Sequence, residues 1–316
     1  MKAIALVLGA ALIAGACTSS PPPTAGTTPT SSAAASAPAS AQASPSPGEG
    51  PSAEPSATAA ATGEPLAELV SPGALTACIA RVGAPAAELT VEGALDGYNV
   101  GFAREIATRL GLTLQVEQPL FEDLIAQLEG HACDVSVSSQ NITASRLERI
   151  TLVPYTKSLQ PVLVQIGNPA QVDSLQALCG LAVSATAGTT HVDLVNGNGD
   201  YVGEGLNDAC QATRREPIDL RTFSTELEAV TALLDGEVAA YLGNPSFVFD
   251  YPTRIIYSQA TLPAARQGIG LPRDRPGLLA AVEPAIAAMI DDGTYRDILA
   301  QYLPNDESVD IVSIIE

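Results

Sequence analysis

The sequence predicts an α/β protein built on a largely parallel sheet with helices on both faces. Three observations carry this. Short β-rich runs alternate with segments whose apolar residues recur every three or four positions. Glycines close several of those helical segments. The alternation β-α-β is itself the signature of a parallel sheet, and in open sheets of this kind a ligand sits beyond the carboxyl ends of the strands.

The elements follow in order. Leu75 to Ile79 is a first strand. Phe102, Ala103, Ile106, Ala107 and Leu110 mark a helix ended by Gly111, and Leu112 to Glu117 alternates as a strand. Phe121, Leu124, Ile125 and Leu128 mark a second helix, closed by Gly130, before a β-rich run from Asp134 to Ser138. Pro161 to Ile166 is another such run, followed by a turn at Gly167-Asn168-Pro169. Leu181 to Ser184 reads as a strand, and Leu227, Val230, Leu233 and Leu234 as a helix closed by Gly236. Val238 to Leu242 is the next strand. Two helical stripes end the chain: Leu278, Leu279, Val282, Ile286 and Met289, then Tyr295, Ile298, Leu299 and Tyr302. The pattern divides into two α/β units, about 73–160 and 165–260, and a helical tail, with no short internal repeat. The roughly 240 residues involved are enough for one large or two small cores.

The start of the chain reads differently. Lys2 and the apolar run Ala3 to Ala16 form an export signal, residues 1–16, too short to span a bilayer, which needs roughly 20 residues. Cys17 follows small residues and fits a lipoprotein processing site. Ala14-Gly15-Ala16 also fits ordinary signal cleavage, which would release the chain. There are five cysteines, and an odd thiol in an oxidising compartment needs a role. With Cys17 lipidated, Cys78, Cys133, Cys179 and Cys210 remain for two bridges in any of three connectivities. Residues 17–72 are rich in Ala, Ser, Thr and Pro and read as a disordered spacer, having too little large apolar surface to offset ordering entropy. The formal net charge is −20. Such acidity argues against nucleic-acid binding and keeps an exported domain soluble.

Specific motifs then narrow the reading. Gly101-Phe102-Ala103-Arg104-Glu105-Ile106-Ala107 resembles the "GFDVDLA" run of the family 3 extracellular solute-binding proteins. Asp123 to Gly130 is similar to that family's "DGLIPALQSGK". Asp134 to Tyr155, with Ile142-Thr143-Ala144-Ser145-Arg146 inside it, resembles "DVIISGMTITPERKKQVDFSDPY". Gly188-Thr189-Thr190 matches "GTT", and Asp292-Gly293-Thr294-Tyr295 with Ile298-Leu299 matches "DGTYxxIL". The resemblance covers about residues 74–303.

It implies a two-lobed, type II periplasmic-binding-protein-like α/β fold with a two-strand hinge that closes around a ligand. Residues 73–160 and 271–316 would form lobe 1, and 161–270 lobe 2, with crossing strands near Pro161–Gln165 and Gly268–Leu271. It also implies a monomer, tethered outside the cytoplasm by its lipid, that captures an amino acid or derivative for an ABC importer permease, without cofactor or metal. The resemblance to actinobacterial members implies bridges Cys78–Cys133 and Cys179–Cys210.

The ligand residues are carried over position by position. Arg146 matches the arginine of "TPER", whose guanidinium can take a carboxylate bidentately and keep its charge when desolvated. Thr189 and Thr190, at an expected helix start, add donors from the second lobe. Ser139 and Asn141 end the strand before Ile142, where family members hold the ligand. Two departures stand out. Asn244 occupies the position of the usual aspartate that pairs with the α-ammonium group, so either another acid compensates or the ligand is not a standard α-amino acid. The loop Gly83 to Thr90 lacks the family's aromatic platform; Glu88 in it reads as an exposed glutamate, and Phe121 is a spare candidate for packing on the ligand.

An enzyme on the same fold, dehydratase-like, is the rival from another class. It would need a placed acid or base. No His–Cys–Asp cluster, metal spacing or nucleophile motif is present, and His131 and His191 are lone residues; His191 follows the "GTT" segment and could touch the ligand, with a surface position the preferred reading. A surface sensor or scavenger without its own transporter is the remaining alternative.

Overall fold

The computed structural model describes residues 66, 68–198, 205–303 and 312–313. The signal segment, Cys17 and most of the spacer lie outside the described residues. The first unit runs β1 (Ala74–Cys78), β2 (Glu88–Leu89), β3 (Leu95–Asp96), α1 (Tyr98–Arg109), β4 (Thr113–Glu117), α2 (Leu124–Glu129), β5 (Val135–Asn141), α3 (Ala144–Arg149) and β6 (Ile150–Gln165). Then come β7 (Ala182–Thr186), α4 (Thr190–Asn196), α5 (Leu206–Ala212), β8 (Asp219–Phe223), α6 (Glu226–Leu234), β9 (Ala240–Leu242) and α7 (Phe247–Asp250). The long strand β10 (Ile255–Pro272) precedes α8 (Pro276–Asp292), α9 (Thr294–Tyr302) and β11 (Val312–Ser313).

The principal sheet has the order β4-β1-β5-β10-β6-β9-β7-β8. Strands β1, β4 and β5 are parallel, as are β7, β8 and β9, while β6 and β10 are antiparallel to each other and run through both halves. Two lobes therefore share two strands. The apolar clusters separate them. One contains Leu75, Phe102, Ile106, Leu128, Tyr155, Ile269 and Leu271. The other lobe is filled by a group around Val162, Val164, Val183 and Leu262 and a group around Leu163, Val230, Leu233 and Tyr241. The crossings thus fall between Tyr155 and Val162, and between Leu262 and Ile269. The expected crossing points, Pro161–Gln165 and Gly268–Leu271, lie instead inside the ladders of the lobes. Pro161 faces Thr261 and Gly268 faces Pro154 there, so residues that look like breaks in the sequence are paired.

Helix α1 shows how pattern becomes packing. Tyr98, Phe102, Ala103, Ile106 and Ala107 fall on one face and are buried. Burying each large apolar side chain stabilises the lobe by roughly 1.5–3 kcal/mol. Gly111, at φ +69°, lets the chain turn back towards β4. Arg109 bonds Glu105 on its own helix and Asp292 at the end of α8. Phe102 also packs edge-on against Tyr155 and tilted against Tyr295, with centroids 5.4 and 5.0 Å away. The C-terminal helices α8 and α9 therefore join the first lobe, with Leu278, Val282, Ile286, Met289 and Leu299 in its core.

Buried Asp134 collects the Val70 and Thr76 N–H groups and the Arg275 guanidinium at 2.8–2.9 Å. Leu66 and Leu69 pack against the same lobe, so its contacts reach into the stretch assigned to the spacer. The cysteines are joined as Cys78–Cys133 and Cys179–Cys210, with Cα–Cα distances of 5.7 and 5.6 Å. Phe121 departs from expectation. It opens a 3₁₀ turn, Phe121–Asp123, ahead of α2, and is not part of that helix's buried stripe.

Candidate ligand site between the lobes

A pocket of about 580 Å³, mouth included, lies where the two lobes meet. Lobe 1 lines it with Val82, Ala86, Tyr98, Phe121, Ser138, Ser139, Asn141 and Arg146. Lobe 2 supplies Thr189, Thr190, His191, Glu226, Gly243, Asn244 and Pro245, and the crossing strands supply Ser158, Gln160 and Gln267. The six positions expected from the motifs, Ser139, Asn141, Arg146, Thr189, Thr190 and Asn244, and the spare candidate Phe121 all line this pocket.

Arg146 sits in the first turn of α3, which Thr143 caps by accepting the Arg146 N–H. Its side chain is buried. The guanidinium donates to Asn141 O at 2.9 Å and, across the cleft, to Gly188 O at 3.0 Å, and lies 5.7 Å from the centre of the Phe121 ring. That distance is within range for a cation–π contact, which gives Phe121 a role beneath the arginine. Asn141 Nδ2 donates to Thr190 Oγ1 at 2.7 Å, a second bond between the lobes. Thr189 precedes α4, but its hydroxyl donates back to Thr186 O at 2.7 Å and does not cap the helix.

Ser139, at φ +51°, is the end of a buried polar network. Its N–H donates to the Tyr155 hydroxyl at 2.9 Å, and that hydroxyl donates to Asn99 Oδ1 at 2.6 Å. The Ser139 hydroxyl lies 3.2 Å from both Tyr98 Oη and Asn99 Nδ2. Burial pushes the Tyr98 hydroxyl up to about 12, so it stays protonated at every working pH.

Asn244 behaves as a connector between lobes. Its Nδ2 donates to Val82 O at 2.8 Å and Ala84 O at 3.2 Å, and its Oδ1 accepts the Ser246 N–H at 2.9 Å. Gly83, at φ +81°, makes this approach possible: a Cβ there would stand 2.5 Å from the Phe247 ring of lobe 2. Glu88 does not line the pocket; it pairs with Arg81 and is only partly exposed.

Two further wall residues, a glutamate and a histidine, are shifted strongly by burial. Glu226 opens α6 and is 6% exposed. Burial raises its carboxyl to about 8, against the Asn244 N–H and the nearby Thr186 hydroxyl, which favour the anion. His191, expected at the surface, is buried. Desolvation and the Arg146 charge lower it to about 4, and neither ring nitrogen has a hydrogen-bond partner among the described residues.

The family model for bacterial extracellular solute-binding proteins, family 3, matches residues 75–305. The chain belongs to that family. This solute-binding protein is 26% identical over 216 residues to a probable ABC transporter arginine-binding protein of Chlamydia trachomatis, covering 65% of this chain and 76% of the relative. It is 25% identical over 209 residues to the L-cystine-binding protein of Escherichia coli, covering 65% and 73%. Among solved structures, an ancestral arginine-binding protein bound to arginine superposes with a TM-score of 0.65 at 23% identity, covering 73% of this chain and 98% of that one. That likeness shows the two-lobed fold. Among the described residues of this solute-binding protein no helix is long and apolar enough to cross a membrane.

Proposed function

We propose that the protein captures an amino acid between its lobes, outside the cytoplasm, and presents it to an ABC importer permease, with Cys17 as the lipid anchor. The observation that carries this reading is the buried Arg146 guanidinium on the wall of the interlobe pocket, held over Phe121. A buried, permanently charged, planar donor suits one ligand group above others, the carboxylate. Its neighbours on the wall, Asn141, Thr189 and Thr190, are neutral and polar and come from both lobes. A carboxylate at Arg146 would compete for the guanidinium with the Asn141 and Gly188 carbonyls and would be gripped from both sides. The curated relatives described above are named as a probable arginine-binding protein and an L-cystine-binding protein, which supports an amino acid as the solute class. Ser139 contributes as the rigid end of its network, holding the strand terminus where the ligand rests.

The test is calorimetric binding of the standard amino acids and L-cystine to the parent and to Arg146→Ala. The parent should bind at least one of them. The variant should lose about 2–4 kcal/mol, roughly 30-fold to 1,000-fold in affinity. Equal affinity in the variant would remove Arg146 from the site.

A further inference from the structure

We propose that Glu226 receives the ligand's α-ammonium group, in place of residue 244. This deepens the amino-acid reading and rests on it. Asn244 is already committed to the protein. Both hydrogens of its amide point at lobe 1 carbonyls, Val82 O and Ala84 O, and its oxygen accepts the Ser246 N–H. It carries no charge to set against a buried cation.

Glu226 can supply one. Among the described residues that line the pocket it is the one carboxyl, facing a wall whose permanent cation is Arg146. Burial keeps it protonated at neutral pH before a ligand binds, and a cation brought against it would favour the anion, its proton passing to solvent. Arg146 stands on lobe 1 and Glu226 on lobe 2, so the cation and the acid are presented from opposite sides. The carboxylate is brought to the wall by a local device. Glu226 Oε2 lies so close over Gly243 that a Cβ there would be 2.6 Å from it. The lack of a side chain at 243 thus lets the acid reach the chain segment that leads into Asn244. The hydrogen bond it accepts from the Asn244 N–H is long, 3.5 Å. A carboxylate has about four acceptor sites, so this buried group retains capacity for a strong donor. A second group in the same pocket is also open to a polar ligand: the neutral His191 ring is buried with its donor and its acceptor nitrogen both unpartnered among the described residues. A zwitterion with its carboxylate on Arg146 and its ammonium on Glu226 would pair both of its charges once Glu226 has given up its proton.

The deciding experiment uses the intact chain and its Glu226→Gln variant. The parent is screened by calorimetry against the twenty standard amino acids and L-cystine. The tightest binder is then compared with the same acid lacking its α-amino group, which for L-arginine is 5-guanidinopentanoate. The parent should prefer the amino acid by at least about 10- to 100-fold, the range for a charged hydrogen bond. In Glu226→Gln that preference should collapse to a few-fold, while the des-amino acid binds as it does to the parent. The unchanged des-amino affinity shows that the variant is folded. A preference that survives Glu226→Gln, or that the parent never shows, overturns the assignment to Glu226 and leaves the amino-acid reading standing. A parent that binds no amino acid in the panel removes both. If Glu226→Gln does not fold, Glu226→Asp replaces it: shortening the acid should weaken the amino acid and spare the des-amino acid, and equal losses for both overturn the assignment.

Discussion

Replacing Asn244 by aspartate would restore the residue that the family usually carries, and the structure gives the sign of the result. If Asn244 were an imperfect receptor for the ligand's ammonium group, Asn244→Asp would tighten binding. The geometry requires the opposite. Nδ2 donates to Val82 O at 2.8 Å and to Ala84 O at 3.2 Å. A carboxylate oxygen in its place donates nothing and faces two carbonyl oxygens. Two net hydrogen bonds at about 1 kcal/mol each are lost, and two partly buried acceptors are left without donors, for about 1–3 kcal/mol more. The new charge also falls beside Glu226, whose Oε2 is 3.5 Å from the residue 244 nitrogen. A closed form weakened by roughly 3–5 kcal/mol costs about 100- to 5,000-fold in affinity if binding requires closure. Calorimetry with the parent's best amino acid measures this, and small-angle scattering reports the accompanying expansion. Part of the loss should return as pH falls, because the introduced carboxyl regains one donor once it is protonated. Binding in Asn244→Asp that equals or exceeds the parent would refute the interlobe role.

Other expectations follow from the same geometry. Glu226 is raised from 4.5 to about 8 in the fold. The native state therefore holds an extra proton between those values, and stability falls as pH rises through them, by on the order of 3–5 kcal/mol. Glu226→Gln should flatten that alkaline loss in denaturation curves. His191 is lowered from 6.5 to about 4. The unfolded chain takes up that proton first, so stability falls as pH drops through the same window, by about 3 kcal/mol, and His191→Gln should lessen this acid-side loss. Gly188, at φ +72°, would place a Cβ 2.6 Å from Glu122 Cα of the other lobe. Gly188→Ala should weaken amino-acid binding more than tenfold, while the strained backbone alone accounts for about 1–2 kcal/mol in the melting curve. The bridges close loops with sequence separations of 55 and 31. Reducing either should lower stability by about 4 kcal/mol in the chain-entropy account, read as a fall in Tm.

What the sequence disclosed, and what it hid, has local causes. Helices α1, α8 and α9 were legible because each lays one apolar stripe on the core of the first lobe. Arg146 and Asn141 were legible because they sit inside a motif of fixed order. The strands that cross between lobes were only partly legible. Pro154 and Pro161 break the sequence pattern of β6 though not the strand itself, and buried Thr156, Ser158 and Gln160 replace the apolar alternation of a core strand. Those residues serve the interior by hydrogen bonding, as when Thr156 Oγ1 donates to Gln267 Oε1 at 2.8 Å, a partner more than a hundred residues away. Glu226 was hidden for another reason. It follows Thr225 and precedes Glu228, a capping box in which acids are favoured at the helix start. Local chemistry accounts fully for an acid there, so nothing flagged that its carboxylate turns inward. His191 was only half legible: its place after the Gly188-Thr189-Thr190 segment points to the ligand, but burial of a lone ring depends on tertiary contacts.

The bonds from Arg146 to Gly188, Asn141 to Thr190 and Asn244 to Val82 and Ala84 join protein to protein across the cleft. They favour closure whatever lies between the lobes. A solute can enter only while the lobes are apart, so these bonds act as a brake on capture. If they hold nine molecules in ten shut, about 1.3 kcal/mol of net attraction, the association rate falls tenfold. The same attraction slows escape of a captured solute, so tuning these few bonds trades speed of uptake against retention.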